Sequence, residues 1–111
     1  VSIKKTLGAL STMKKTGRWI FYWENGQKSR ECGFYTKNYN RDKTFYHGLE
    51  TNYYQNGTKS YEVKYFFNYK YREEIWWNED GTEKERKYHG GIIKTIFKRI
   101  INLLKSLIDI D

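Results

Sequence analysis

Residues 17–26 read GRWIFYWENG, residues 48–57 read GLETNYYQNG, and residues 72–81 read REEIWWNEDG. Superposed, the three segments place a β-branched residue (Ile20, Thr51, Ile75), then an aromatic two positions on (Tyr22, Tyr53, Trp77), then an Asn-Gly or Asp-Gly pair. Residues two apart on a strand share a face, so these columns predict an apolar ladder along one side of an antiparallel sheet. Asn25-Gly26, Asn56-Gly57 and Asp80-Gly81 mark the reversals. A two-residue type I′ hairpin needs positive φ at both central positions, which glycine accepts freely and Asn or Asp better than most residues. A second strand is expected after each turn, over residues 27–35, 58–67 and 82–89. At equal offsets from the turn the first two share Lys28/Lys59, Ser29/Ser60, Glu31/Glu62 and Phe34/Tyr65, whereas the third departs, with Arg86 and His89. A stack of repeats needs such a divergent copy where it stops.

The turn glycines are unevenly spaced, 31 residues from Gly26 to Gly57 and 24 from Gly57 to Gly81. The extra seven fall within residues 36–47, a polar and aromatic stretch that reads as a loop protruding between the first two hairpins. Loops inserted into repeats often carry the working face. That reading makes Tyr39, Arg41, Lys43, Phe45, Tyr46 and His47 the candidate partner-binding residues; a tolerated surface insertion is the alternative.

Two of the segments resemble a known repeat. Trp23-Glu24-Asn25-Gly26-Gln27-Lys28 followed by Glu31 and Phe34, and Tyr53-Tyr54-Gln55-Asn56-Gly57-Thr58-Lys59 followed by Glu62 and Tyr65, look like the MORN-variant repeat of bacterial proteins grouped as YwqK-like antitoxins. The resemblance covers about residues 17–89. It implies an elongated, curved sheet of about three hairpin units, an interaction role and no catalytic centre. The chain departs from the pattern at Asn68-Tyr69-Lys70, where the family places a glycine after the asparagine, so the geometry of that turn is open.

Around this body, residues 17–90, lie two different ends. Placed at 100° per residue, the Ile, Leu and Phe residues of 92–110 fall within about half a circle and the polar ones within the other half, which predicts an amphipathic helix after a flexible Gly90-Gly91 joint. Three roles stand open for this C-terminal part, residues 91–111. The expected fold packs it on the sheet, where it supplies core; the alternatives are that it lies on an anionic membrane with Lys94, Lys98 and Lys105 bordering its apolar face, or pairs with a second copy as a homodimer. Leaving so many apolar side chains in water would forfeit many kcal/mol, so the face requires cover. Residues 1–16 carry Lys4, Lys5, Lys14 and Lys15 with no acid, and form a basic arm or a short helix through Ile3, Leu7, Leu10 and Met13.

The formal charge of +8 sits mostly at these ends. Residues 17–91 hold 13 basic and 11 acidic side chains, so the body is nearly balanced. Glutamates spread along the aromatic strands would repel phosphate, which argues against a nucleic-acid groove through the body. An electrostatic reading therefore rests on Lys4, Lys5, Lys14, Lys15, Lys94, Lys98, Arg99 and Lys105, binding nucleic acid or an anionic membrane. Aromatics form 19% of 111 residues, too many for a disordered chain. Cys32 is the only cysteine, so no internal disulfide forms, and in mid-strand it reads as a small apolar filler. No run reaches the roughly 18 apolar residues of a membrane span, and no signal-peptide pattern opens the chain; a cytoplasmic protein is expected. His47 and His89 form no metal-ligand spacing with Cys32. Glu73-Glu74 and Glu79-Asp80 put neighbouring carboxylates on opposite faces or in a turn. The expectation is a mainly β, non-enzymatic protein without cofactor that binds a protein partner, of the antitoxin, immunity or inhibitor type.

Overall fold

A computed structural model describes residues 4–5, 17–36 and 44–108. The chain forms eight strands among these, β1 Lys4–Lys5, β2 Gly17–Tyr22, β3 Lys28–Thr36, β4 Thr44–Tyr46, β5 Gly48–Tyr53, β6 Lys59–Phe66, β7 Tyr69–Trp77 and β8 Glu83–Tyr88, followed by the helix α1, Ile92–Ile108. All strand pairs are antiparallel, in the spatial order β1-β2-β3-β5-β6-β7-β8, with β4 paired to the end of β3. The result is one open sheet with a single C-terminal helix, spanning 51 × 37 × 20 Å.

Register explains which residues share a face. Ile20 opposes Glu31, Glu31 opposes Thr51, Thr51 opposes Glu62, and Glu62 opposes Ile75, so Ile20, Thr51 and Ile75 lie in one row across five strands. The fully covered apolar side chains are on the other face. Trp19 opposes Cys32 there, and Glu50 opposes Val63. Trp19, Cys32 and Val63 are the buried apolar residues among those described. Ile20, Thr51 and Ile75 do share a face, but Glu31 and Glu62 stand between them, so the row is not a continuous apolar ladder.

The three hairpins turn at the expected pairs with a different geometry. In each, the glycine N–H closes a β-turn onto the residue three before it (Gly26 to Trp23, Gly57 to Tyr54, Gly81 to Asn78, all 3.0 Å), and that residue's N–H bonds the carbonyl after the glycine. Gly26, Gly57 and Gly81 take φ near +90°, while the preceding Asn or Asp does not have positive φ. This is the three-residue loop with a left-handed glycine bulge, not the two-residue type I′ turn. The Asn25, Asn56 and Asp80 side chains instead accept the N–H of Gln27, Thr58 and Thr82 at 2.9 Å. The two-residue form occurs where the sequence left the geometry open, at Phe67 and Asn68, with φ of +46° and +73° and Phe66 paired to Tyr69.

Residues 36–47 also differ from the protruding loop expected of them. Thr36 ends β3 and Thr44–Tyr46 is a strand on it, with the Thr36 and Thr44 hydroxyls 3.0 Å apart. Residues 37–43, including Tyr39, Arg41 and Lys43, lie outside the described residues, as do Lys14 and Lys15. Lys4 and Lys5 extend the sheet along β2 rather than forming part of a helix.

A third non-glycine residue with positive φ stands where the other hairpins have glycine. Arg72 holds φ +59° nine residues before its turn glycine, where the other two hairpins have Gly17 and Gly48 at φ +74° and +93°. Its side chain is exposed, and its backbone bonds Gly90 and His89, tying the chain after β8 to β7. Left-handed backbone costs a non-glycine residue on the order of 1 kcal/mol. Arg72→Gly is therefore expected to raise stability by about 0.5–1 kcal/mol, read as a higher urea midpoint at unchanged slope. A lower midpoint would show that the arginine side chain holds the bulge together.

Candidate functional site

The helix meets the sheet by its polar flank. The Arg99 guanidinium carbon sits 4.1 Å from the centre of the Phe67 ring and 5.3 Å from that of Phe45. Asn102 Nδ2 donates to the Tyr69 hydroxyl at 2.6 Å, and the buried Thr95 hydroxyl donates back to the Gly91 carbonyl. Thr95, Arg99 and Asn102 are four and three residues apart, hence on one side of the helix. The expectation that the helix covers the sheet with its apolar face is corrected: it does rest on the sheet, but the apolar face is not the side turned onto it. Ile93, Phe97, Ile100, Ile101, Leu103, Leu104, Leu107 and Ile108 are 45–77% exposed. Lys94, Lys98 and Lys105 are exposed along the border of that face away from the docked flank. Of the four helix cations, only Arg99 is turned inward.

The docking point is an aromatic cluster held by the strained turn. Phe67 contacts Tyr35, Phe45 and Phe66 edge-on at 4.8–5.7 Å between ring centres, and His47 at 4.5 Å. Its left-handed backbone is fixed by N–H donation to His47 Nδ1 at 3.2 Å, and Asn68 exchanges two bonds with the Tyr46 backbone. A turn this over-determined can hold a bulky residue at positive φ.

The structure thus separates the residues proposed from sequence. Phe45, Tyr46 and His47 come together, but inside the fold: Tyr46 stacks on Tyr65 at 5.1 Å and receives a bond from Arg30, while Phe45 lies under Arg99. Lys94, Lys98 and Lys105 are brought to one side of α1. No signal in the sequence singled out Phe67 or Asn102, because their roles arise only from the helix coming to rest on the β6–β7 turn.

On the core face two carboxylates are buried at matching positions. Glu50 and Glu74 each stand seven residues before a turn glycine, and each receives a donor from the residue four after the preceding one, Arg30 and Tyr61 respectively. Glu74 also takes Lys70 Nζ at 2.7 Å and lies 2.6 Å from His89 Nε2. Burial alone would raise its carboxyl, but the bonds from Lys70, Tyr61 and His89 outweigh it and hold the group at about 2. Burial and the charge of Glu74 push the Tyr61 hydroxyl well above its ordinary value, and burial with nearby Glu50 pushes Tyr65 up to about 12. A carboxylate with every oxygen engaged is a weak base, and these groups read as a structural polar core. Among the described residues no three His, Cys, Asp or Glu group as metal ligands, and no helix is long and apolar enough to cross a membrane.

No family model, curated protein or solved structure matches this chain. The exposed face of α1 is the feature that the fold leaves unexplained, and it is the candidate site.

Proposed function

We propose that this protein is a non-catalytic binding module that attaches to its partner through the outward apolar face of α1. The observation that carries the reading is the orientation of that helix. Its polar flank, on which Thr95 is buried, is held to the sheet and its β6–β7 turn by Arg99 and Asn102, while eight Ile, Leu and Phe side chains remain in water. An apolar surface of this size on a soluble domain marks an interaction site. The sheet then serves as a rigid carrier, and its three similar turns support reading residues 17–89 as MORN-like hairpin units, with the interaction role which that resemblance implies. A neutralising partner centred on residues 36–47 draws less support, since Tyr46 and His47 are engaged in internal contacts.

Because the face is exposed, a charge placed on it should leave the fold intact. Ile100→Glu and Leu104→Glu are each expected to change stability by no more than about 0.5 kcal/mol, while lowering the fluorescence of an apolar-surface dye bound to the wild type severalfold. Early melting of both variants would mean that the face is packed against the protein, and the reading would fall.

A further inference from the structure

We infer that the occupant of the α1 face is the surface of an anionic lipid bilayer, with the helix lying in the plane of the interface. The inference rests on the outward face proposed above and names its partner. Three sectors follow each other around α1. Arg99 and Asn102 grip the sheet beside the buried Thr95, the exposed Ile, Leu and Phe residues lie on the opposite side, and Lys94, Lys98 and Lys105 edge the apolar sector on its free side. Within Ile92–Ile108 there is no Asp or Glu; Asp109 and Asp111 follow it in the sequence.

That charge pattern selects among occupants. A second copy would bring two lysine-edged helices together with no acid between 92 and 108 to neutralise them, whereas coiled-coil pairing uses opposite charges beside the seam. A groove in a protein engages a narrow stripe at i, i+3, i+4 and i+7. Here the exposed apolar residues from Leu103 round to Ile101 cover about 160° of the helix at 100° per residue, a width suited to a plane. Lysine stems at the border of such a face lie along the acyl region with their ammonium groups among headgroup phosphates. Because the helix is docked by its far flank, seating it on a bilayer requires no rearrangement of the sheet.

The test uses the full chain and sedimentable vesicles, one set of phosphatidylcholine with phosphatidylserine and one of phosphatidylcholine alone. Partitioning is expected into the mixed vesicles, at least tenfold weaker into the neutral ones, and weakened by salt. Changing Lys94, Lys98 and Lys105 together to Gln should cost about fivefold per lysine, on the order of a hundredfold in all. Leu104→Glu should abolish binding while its circular dichroism and melting stay those of the wild type. Equal binding to both vesicle types, or none to either, would overturn the proposal, as would a dimer that Leu104→Glu dissociates. If vesicles are ignored but the apolar dye still binds and is lost in Leu104→Glu, the lipid partner falls and the outward face stands. If the dye fails as well, both fall.

Discussion

Glu74→Ala is expected to destabilise the protein by about 3 kcal/mol, one of the two largest single effects the structure supports. The carboxylate is 3% exposed and stands where Lys70, Tyr61 and His89 converge. Removing it strips three polar groups of a shared partner and leaves a gap between β6 and β7. The Lys70 ammonium is partly exposed and regains water, which keeps the loss below that of a fully enclosed pair. Glu74→Gln keeps the shape but loses the charge and turns an amide N–H towards a donor, so about half that loss is expected. The same group sets an acid limb. Its pKa is lowered on folding, from 4.5 to about 2, so its contribution is fully present above pH 4.5 and disappears as the pH falls from 4.5 through about 2. The size of that limb is on the order of 3 kcal/mol. Urea midpoints measured between pH 6 and pH 2 should therefore approach each other for wild type and Glu74→Gln as the pH falls, meet between about pH 4 and pH 3, and not stay parallel. Parallel curves across that range would show that Glu74 is not the group responsible.

The strand pattern was legible because it rests on local signals. Asn-Gly and Asp-Gly pairs flanked by alternating apolar residues located all three hairpins, and the helical period of 92–108 located α1. What the sequence could not convey is how elements rest on one another. The choice of asparagine over aspartate at the first two turns is one case. Asn25 Nδ2 donates to the Gln55 carbonyl and Asn56 Nδ2 to the Glu79 carbonyl, each reaching the next turn along, and a carboxylate at Asp80 has no such proton to give. Similarly, Trp23 Nε1 donates to the Tyr53 carbonyl, and the Tyr54 hydroxyl to that of Trp77. The α1 face is the clearest case. Amphipathicity establishes that a helix has an apolar side, yet the side that meets the protein was decided here by Arg99 on Phe67, whose ring is aimed by a left-handed turn lacking the expected glycine. Period alone reads the apolar stripe as core, and only the docked geometry shows it turned outward.

The same distinction can be tested in the sheet itself, where the apolar columns and the buried core fall on opposite faces. Trp19→Ala is expected to cost about 4 kcal/mol, since the ring is 6% exposed and packs against Phe21 and Phe34 at 6.0 Å. Trp19 occupies the position that Glu50 and Glu74 fill in the other two hairpins, so its indole covers with apolar surface what those two cover with paired charge. Ile20, its neighbour on the ladder face, is only half-buried, and Ile20→Ala should cost about 1 kcal/mol. A chain of this length at the low end of ordinary stability holds about 5 kcal/mol. Trp19→Ala would then begin to unfold near room temperature, while Ile20→Ala would lose roughly 4 °C of Tm. The comparison is best made by urea titration followed in far-ultraviolet circular dichroism, because the indole removed is itself a fluorescent reporter. Near-equal losses would mean that the two faces share the core, and a larger loss for Ile20→Ala would place it on the ladder side. The expected ratio follows from register alone: Trp19 lies opposite Cys32, which has no exposed surface, and Ile20 lies opposite Glu31, whose carboxylate still reaches water beside Lys28.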